Sequence, residues 1–231
     1  MKKFMLVLLV LSLIFSCKKE ATKTVNTDNE TTLTGGLAKA TSIPSVTICN
    51  QTWMQKNLGV TTYRNGDPIP QVTDPKAWLT LTIGAWCYYN NDPANGPVYG
   101  KLYNWFAVTN PRGLAPAGWH VPSDAEWTTL TDCLSGATIA GGKLKEKGLK
   151  HWTSPNTEAT NSSRFSALAG GNLVSIDGLF FNKGLLANFW TSTPFSFNAA
   201  NYRRLLYNSG NVQSFGGAFN GDGFSVRCVK D

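Results

Sequence analysis

All eight tryptophans of this 231-residue chain lie at or beyond position 53. Large rings supply most of the area that a loop-rich domain can bury, so the folded unit begins near residue 45 and runs to 231. Its length suits one domain. At 15% charged and 12% aromatic residues, with 22 glycines, the chain is too aromatic for a disordered protein. It is also too glycine-rich and charge-poor for a coiled coil. No apolar run reaches the roughly 20 residues that a membrane-spanning helix needs, which excludes a multi-pass membrane protein.

The first residues read as an address. Lys2 and Lys3 precede an apolar run from Phe4 to Phe15, broken only by Ser12. As a helix that run would rise about 18 Å, short of a hydrocarbon core about 30 Å thick, and so it predicts a secretory signal over 1–16. The run ends Leu13-Ile14-Phe15-Ser16-Cys17, which resembles the lipobox of bacterial lipoproteins. That resemblance implies a diacylglycerol on the Cys17 thiol, cleavage before Cys17 and acylation of the new amine. Two or more acyl chains hold a protein on a membrane where one does not. The expected location is the cell outer membrane, lipid-anchored, with the membrane itself as a partner. Residues 17–44 are rich in threonine and hold no aromatic residue, which predicts a flexible tether. Lys18-Lys19-Glu20 resembles the short charged signals that send Bacteroidetes-type lipoproteins to the cell surface.

The basic balance is modest once the signal is set aside. Removing Lys2 and Lys3 from 21 basic residues leaves 19 against 14 acidic ones. Lys143, Lys145, Lys147 and Lys150 form the dense cluster, and Glu146 interrupts it. Nucleic acid is not an expected partner, because its binding needs a basic face.

Within 45–231 the clearest helix start is Pro122-Ser123-Asp124-Ala125-Glu126. Ser123 and Glu126 have capping-box spacing, Trp127, Leu130, Thr131 and Leu134 recur at helical spacing, and Ser135-Gly136 ends the element. A second short helix is predicted over about 100–108, with Leu102, Trp105 and Phe106 on one side. Short apolar runs at 165–168, 179–181, 189–192, 202–207, 212–215 and 224–229 predict strands, with Asn208-Ser209-Gly210-Asn211 a hairpin turn. The expectation is an α+β fold: two helices, a small twisted and mainly antiparallel sheet, and long loops.

Five blocks then stand out together: Gln51–Leu58 (QTWMQKNL), Val98–Val108 (VYGKLYNWFAV), Gly118–Trp127 (GWHVPSDAEW), Ala159–Ser163 (ATNSS) and Gly223–Asp231 (GFSVRCVKD). In this order they resemble the Fibrobacter succinogenes major paralogous (FISUMP) domain over essentially all of 45–231. The resemblance implies an exported lipoprotein domain with a fold similar to formylglycine-generating enzyme and C-type-lectin-like domains. Trp190-Thr191-Ser192-Thr193 departs from the family's Trp-Ser-Ser-Thr, which matters if the first hydroxyl contacts a ligand. With Cys17 lipidated, Cys49, Cys87, Cys133 and Cys228 remain, and four cysteines allow three pairings. The lectin-like resemblance implies Cys133 with Cys228 and Cys49 with Cys87. The first would close a loop of about 95 residues, for roughly 4–5 kcal/mol on the chain-entropy model.

Catalytic patterns are sparse. Formylglycine-generating enzymes use two closely spaced cysteines as a copper-thiolate site, whereas Cys228 stands alone in the C-terminal block. His120 and His151 are far apart and lack zinc-site spacing, so neither a metal nor a cofactor is expected. His120 reads as a hydrogen-bonded packing residue, and Asn220-Gly221-Asp222-Gly223 as a turn rather than a calcium loop. Aromatic residues beside Asn-rich loops suit the ring faces and hydroxyl edges of a glycan, with Trp152, Trp190, Tyr202, Asn91 and Asp92 as the candidate ligand-binding residues. The expected function is a non-catalytic surface binding or adhesion module, for glycan or an envelope protein. An envelope hydrolase acting on polysaccharide or peptidoglycan is the alternative, and a structural part of an envelope assembly a third possibility.

Overall fold

The computed structural model describes residues 42–231, so the expectations for segment 1–16, for Cys17 and for the tether as far as 41 lie outside the described residues. The order begins with β1 (Ser45–Ile48), β2 (Gln51–Met54), α1 (Pro75–Leu79), β3 (Trp86–Cys87), α2 (Gly96–Tyr99), β4 (Leu102–Tyr103), α3 (Trp105–Val108) and β5 (Trp119–His120). It continues with α4 (Asp124–Cys133), α5 (Ala137–Leu144), β6 (Gly170–Val174), β7 (Leu179–Lys183), β8 (Leu186–Ser196), β9 (Ala199–Leu206), β10 (Val212–Phe219) and β11 (Val229–Lys230). These mixed helices and sheets make an α+β fold.

Helix α4 forms as its sequence predicts. The Ser123 hydroxyl accepts from the Glu126 N–H at 3.2 Å, and the Glu126 carboxylate accepts from the Ser123 N–H at 2.7 Å. Two of the free donors at the helix start are thereby satisfied, and Asp124 N finds Thr193 Oγ1 at 3.0 Å. Trp127, Leu130 and Thr131 face inward, and the Trp127 ring lies 5.0 Å from that of Trp53 on β2.

That contact seats the β1–β2 hairpin on α4 and decides the disulfide. Cys49, in the hairpin turn with φ +52°, is bonded to Cys133 at the end of α4, with 6.5 Å between their Cα atoms. The pairing implied by the lectin-like resemblance is therefore corrected. Cys228 is buried in the same core cluster as Tyr103 and Trp190, while Cys87 lies with Trp78 and Leu102 in another, and both are free thiols. Burial pushes the Cys228 thiol up to about 12 and raises that of Cys87 as well, which leaves both unreactive.

The second long helix is not the one expected. Residues 100–108 hold only β4 and the four-residue α3, because Asn104 stops and restarts the backbone: its side chain accepts from Ala85 N and Ala107 N and donates to Ile83 O. The second longer helix is α5, obscured in sequence by Gly141-Gly142. A Cβ at Gly141 would collide with the Asn211 carbonyl, and one at Gly142 with that of Glu158. Helix propensity is given up there so that two loops can pass against the helix.

The strands form sheets of order β1-β2-β11-β5, β10-β9-β8-β6-β7 and β3-β4. Pairing is antiparallel except between β6 and β8, where Gly171 faces Ala187. The expected hairpin turn at 208–211 joins β9 to β10. Two predicted strands shrink: 165–168 contributes one bridge, Lys145 to Ala167, and 224–229 contributes isolated bridges before β11. Their apolar residues fill the core instead, Phe165 beside Trp53 and Trp127, and Phe224 stacked 4.3 Å from Trp190. Seven of the eight tryptophans are buried, Trp105 being the exception.

Candidate functional site: an apolar groove

The five residues expected to face a ligand do not form a platform. Trp152 and Trp190 are 2% and 0% exposed and Tyr202 is 8% exposed, so their faces belong to the core. Trp152 Nε1 donates to Ala167 O at 2.9 Å, and Trp190 Nε1 to Tyr103 O at 2.8 Å. Tyr202 stacks on Phe215 at 5.4 Å and its hydroxyl accepts from Arg204 at 3.0 Å. Asn91 donates to Thr73 O, and the Asp92 carboxylate accepts from Ala94 N to start a 3₁₀ turn. A loop-rich core needed these rings as filling, which corrects their assignment as a glycan seat. Thr191, at the family departure, is fully buried and donates to Asn201 O at 3.0 Å, so that hydroxyl meets strand β9 rather than a ligand.

The open surface lies elsewhere. Asp74 caps α1, its carboxylate accepting from Lys76 N at 3.0 Å, and Pro75 opens the helix. Trp78 is then buried, with Nε1 donating to Gly221 O at 2.8 Å, while Leu79 is left facing outward. Opposite stands the tip of the β8–β9 hairpin, where Phe197 is fully exposed. The Asn198 carbonyl accepts from Asn220 N at 3.0 Å, which ties the tip to the end of β10 and to half-exposed Phe219. Between them runs a groove of about 750 Å³, with Phe106 and exposed Ile176 along its sides.

Polar groups in the groove are few. Asn220 is buried, its Nδ2 donates to Phe197 O at 3.4 Å, and its Oδ1 has no partner within the protein. A buried oxygen left in that state costs about 1–3 kcal/mol unless a donor reaches it. Behind Gly221, the Asp222 carboxylate accepts from Ser175 N and Ser175 Oγ at 2.9 and 2.8 Å. Burial raises the Asp222 pKa, and the Ser175 bonds only partly offset it. The turn at 220–223 thus positions the groove floor.

Sequence reasoning passed over this groove, although Phe195 and Phe197 stand two residues apart where β8 runs into its turn. Phe195 lies over Gly216 and Gly217, the glycines of a bulge between Phe215 and Ala218 in β10, and Phe197 is left without a cover.

His120 is hydrogen-bonded at both ring nitrogens, Nδ1 to Asp231 and Nε2 to Glu126, each at 2.7 Å. Burial lowers its pKa, and the bonds and charges of Asp231 and Glu126 outweigh burial, so the pKa stands above its ordinary value. Two buried cations serve the scaffold. Lys145 donates to the carbonyls of Thr157, Leu206 and Ser209 at 2.8–2.9 Å, and Arg227 binds Met54 O, Phe165 O and Asn57 Oδ1.

No curated protein and no solved structure matches the chain. The model of the Fibrobacter succinogenes major domain matches residues 46–230, and the chain belongs to that family.

Proposed function

We propose that the protein is an exported, lipid-anchored component of the cell outer membrane whose domain is a non-catalytic binding module. It docks an apolar peptide segment of another envelope or surface protein in the groove beside Phe197. The observation that carries this reading is the groove itself: Leu79, Phe197, Ile176 and Phe219 expose apolar surface around a space of about 750 Å³. An apolar side chain of a partner supplies the cover that such a seat lacks. The signal-like run before Cys17 supports the location, and the family membership supports a lipoprotein role. A C-type-lectin-like layout is part of the same reading, supported by the mainly antiparallel sheets and the long loops between them.

The test is site-specific photo-crosslinking in the native envelope. A photoreactive residue in place of Phe197 or Ile176 is expected to capture the same discrete protein, and one in place of exposed Ile139 to capture none. Capture from Ile139 equal to that from the groove, or no adduct from either groove position, refutes the reading.

A further inference from the structure

A second cleft, of about 360 Å³, shares no lining residue with the groove. Its walls are Tyr99, Lys150, His151, Thr153 and Lys183 over buried Trp152. The volume lies at the low end for small-ligand sites, about 300–1,000 Å³.

Five ionisable groups meet here: Tyr99, Lys150, His151 and Lys183 on the lining, and Glu146 against His151. Both Glu146 carboxylate oxygens face His151 Nδ1, at 2.8 and 3.0 Å, in a largely buried pair. A carboxylate on Nδ1 holds the proton at that nitrogen and leaves Nε2 of the neutral ring as an acceptor. Among the described residues Nε2 has no hydrogen-bond partner in the protein. Tyr99 presents its ring edge-on to His151 at 5.7 Å. Lys183 Nζ lies 5.3 Å from the Tyr99 ring and 5.4 Å from that of Tyr89, and it donates to Asn95 Oδ1 at 2.9 Å.

Lys183 is therefore held in place by neutral partners alone. No carboxylate pairs with it among the described residues, and Glu146 is engaged by His151. One of its three ammonium donors is used, and the other two are available to a ligand anion. The cleft thus offers an unneutralised cation and, on the same lining, a ring nitrogen that accepts a hydroxyl proton. Exposed Leu149 at the rim offers a hydrocarbon surface of the kind that covers the C–H face of a sugar ring.

We propose that this cleft binds an acidic sugar, a pyranose carrying a carboxylate, with Lys183 holding the carboxylate and His151 Nε2 accepting from an adjacent hydroxyl. Neither half of the ligand suffices alone. A neutral sugar leaves Lys183 without its counter-charge, and a simple inorganic anion leaves Nε2 without a hydroxyl.

The chain holds only two histidines, His120 and His151, so histidine-labelled full-length protein reports on the cleft with an internal control. The experiment is an NMR titration with D-glucuronate, D-glucose and inorganic phosphate. Glucuronate is expected to shift the His151 ring resonances to saturation while those of His120 stay in place. Glucose should bind at least about tenfold more weakly, in keeping with the loss of a charge-assisted bond. Lys183→Met should weaken glucuronate by about tenfold or more, and Lys183→Arg should retain most of the affinity. Lys183 is exposed, and unchanged His120 resonances verify that each variant is folded. No shift of His151 at tens of millimolar glucuronate overturns the proposal, as does undiminished affinity in Lys183→Met. Phosphate acting as strongly as glucuronate overturns the assignment to a sugar. None of these outcomes bears on the groove, whose test reads different residues.

Discussion

Replacing Lys145 by methionine tests how the domain tolerates a buried charge. The Lys145 side chain is fully buried, and its three donors reach Thr157 O, Leu206 O and Ser209 O at 2.8–2.9 Å. Methionine keeps the apolar stem and removes all three donors. Leu206 O keeps the Ser209 N–H at 3.4 Å, so two carbonyls are orphaned, at about 1–3 kcal/mol each or about 2–6 kcal/mol together. Against this stands the cost of burying an ammonium. Burial pulls the Lys145 pKa from 10.5 down to about 8, against the opposing charge of Glu158. At about 1.4 kcal/mol per unit, relief of that cost returns about 3 kcal/mol. The net loss is centred near 1 kcal/mol, a fall in Tm of about 2–4 °C for a domain of this size. Calorimetry at pH 7 measures it. The sign with pH is a second readout. Between pH 8 and 10.5 the unfolded chain binds the proton and the folded chain does not, so this group makes wild-type stability rise across that window. Lys145→Met should lose that rise. A Tm within about 1 °C of wild type, with the pH dependence unchanged, would show that the three bonds do not outweigh the burial of the charge and would refute the reasoning.

Three other expectations follow from the same geometry. Non-reducing peptide mapping should recover Cys49 joined to Cys133, with Cys87 and Cys228 alkylated only after unfolding, and Cys49→Ser with Cys133→Ser should cost about 4–5 kcal/mol in denaturant titration on the chain-entropy model. His120 has a folded pKa above its unfolded value, so its contribution is complete below the unfolded pKa and is lost as pH rises through the folded one. His120→Gln should flatten that part of the stability profile, and an unchanged profile would count against the Asp231 and Glu126 contacts. Cys17→Ala should release the protein from membranes and abolish incorporation of a labelled fatty acid, whereas a variant still acylated and membrane-bound would refute the anchor.

Features written in neighbouring residues could be read from sequence. The capping box of α4 and the turn at 208–211 both follow from spacing within a few positions. What escaped depended on contacts across the chain. Gly141-Gly142 reads as a helix breaker until Asn211 and Glu158 are seen to lie against it. The disulfide partner of Cys49 follows from one ring contact, Trp53 on Trp127, 74 positions apart in number and 5.0 Å apart in space. The candidate glycan rings show the same limit from the other side. Trp152 and Trp190 carry no local sign of burial, and only the packing around Phe165 and Phe224 takes their faces away from solvent. Phe197 is the converse, a large apolar ring in a hairpin turn that no neighbour covers.

Strand β11 lies between β2 and β5, and Arg227 just before it bonds across to Met54 and Phe165. A growing chain therefore cannot close its first sheet until residues 229–230 have been made. Loss of those two residues would remove a central strand and would leave the opening hairpin with an unpaired edge. The hairpin at 45–54 thus waits, with one edge open, through nearly all of the synthesis of the domain whose sheet it begins.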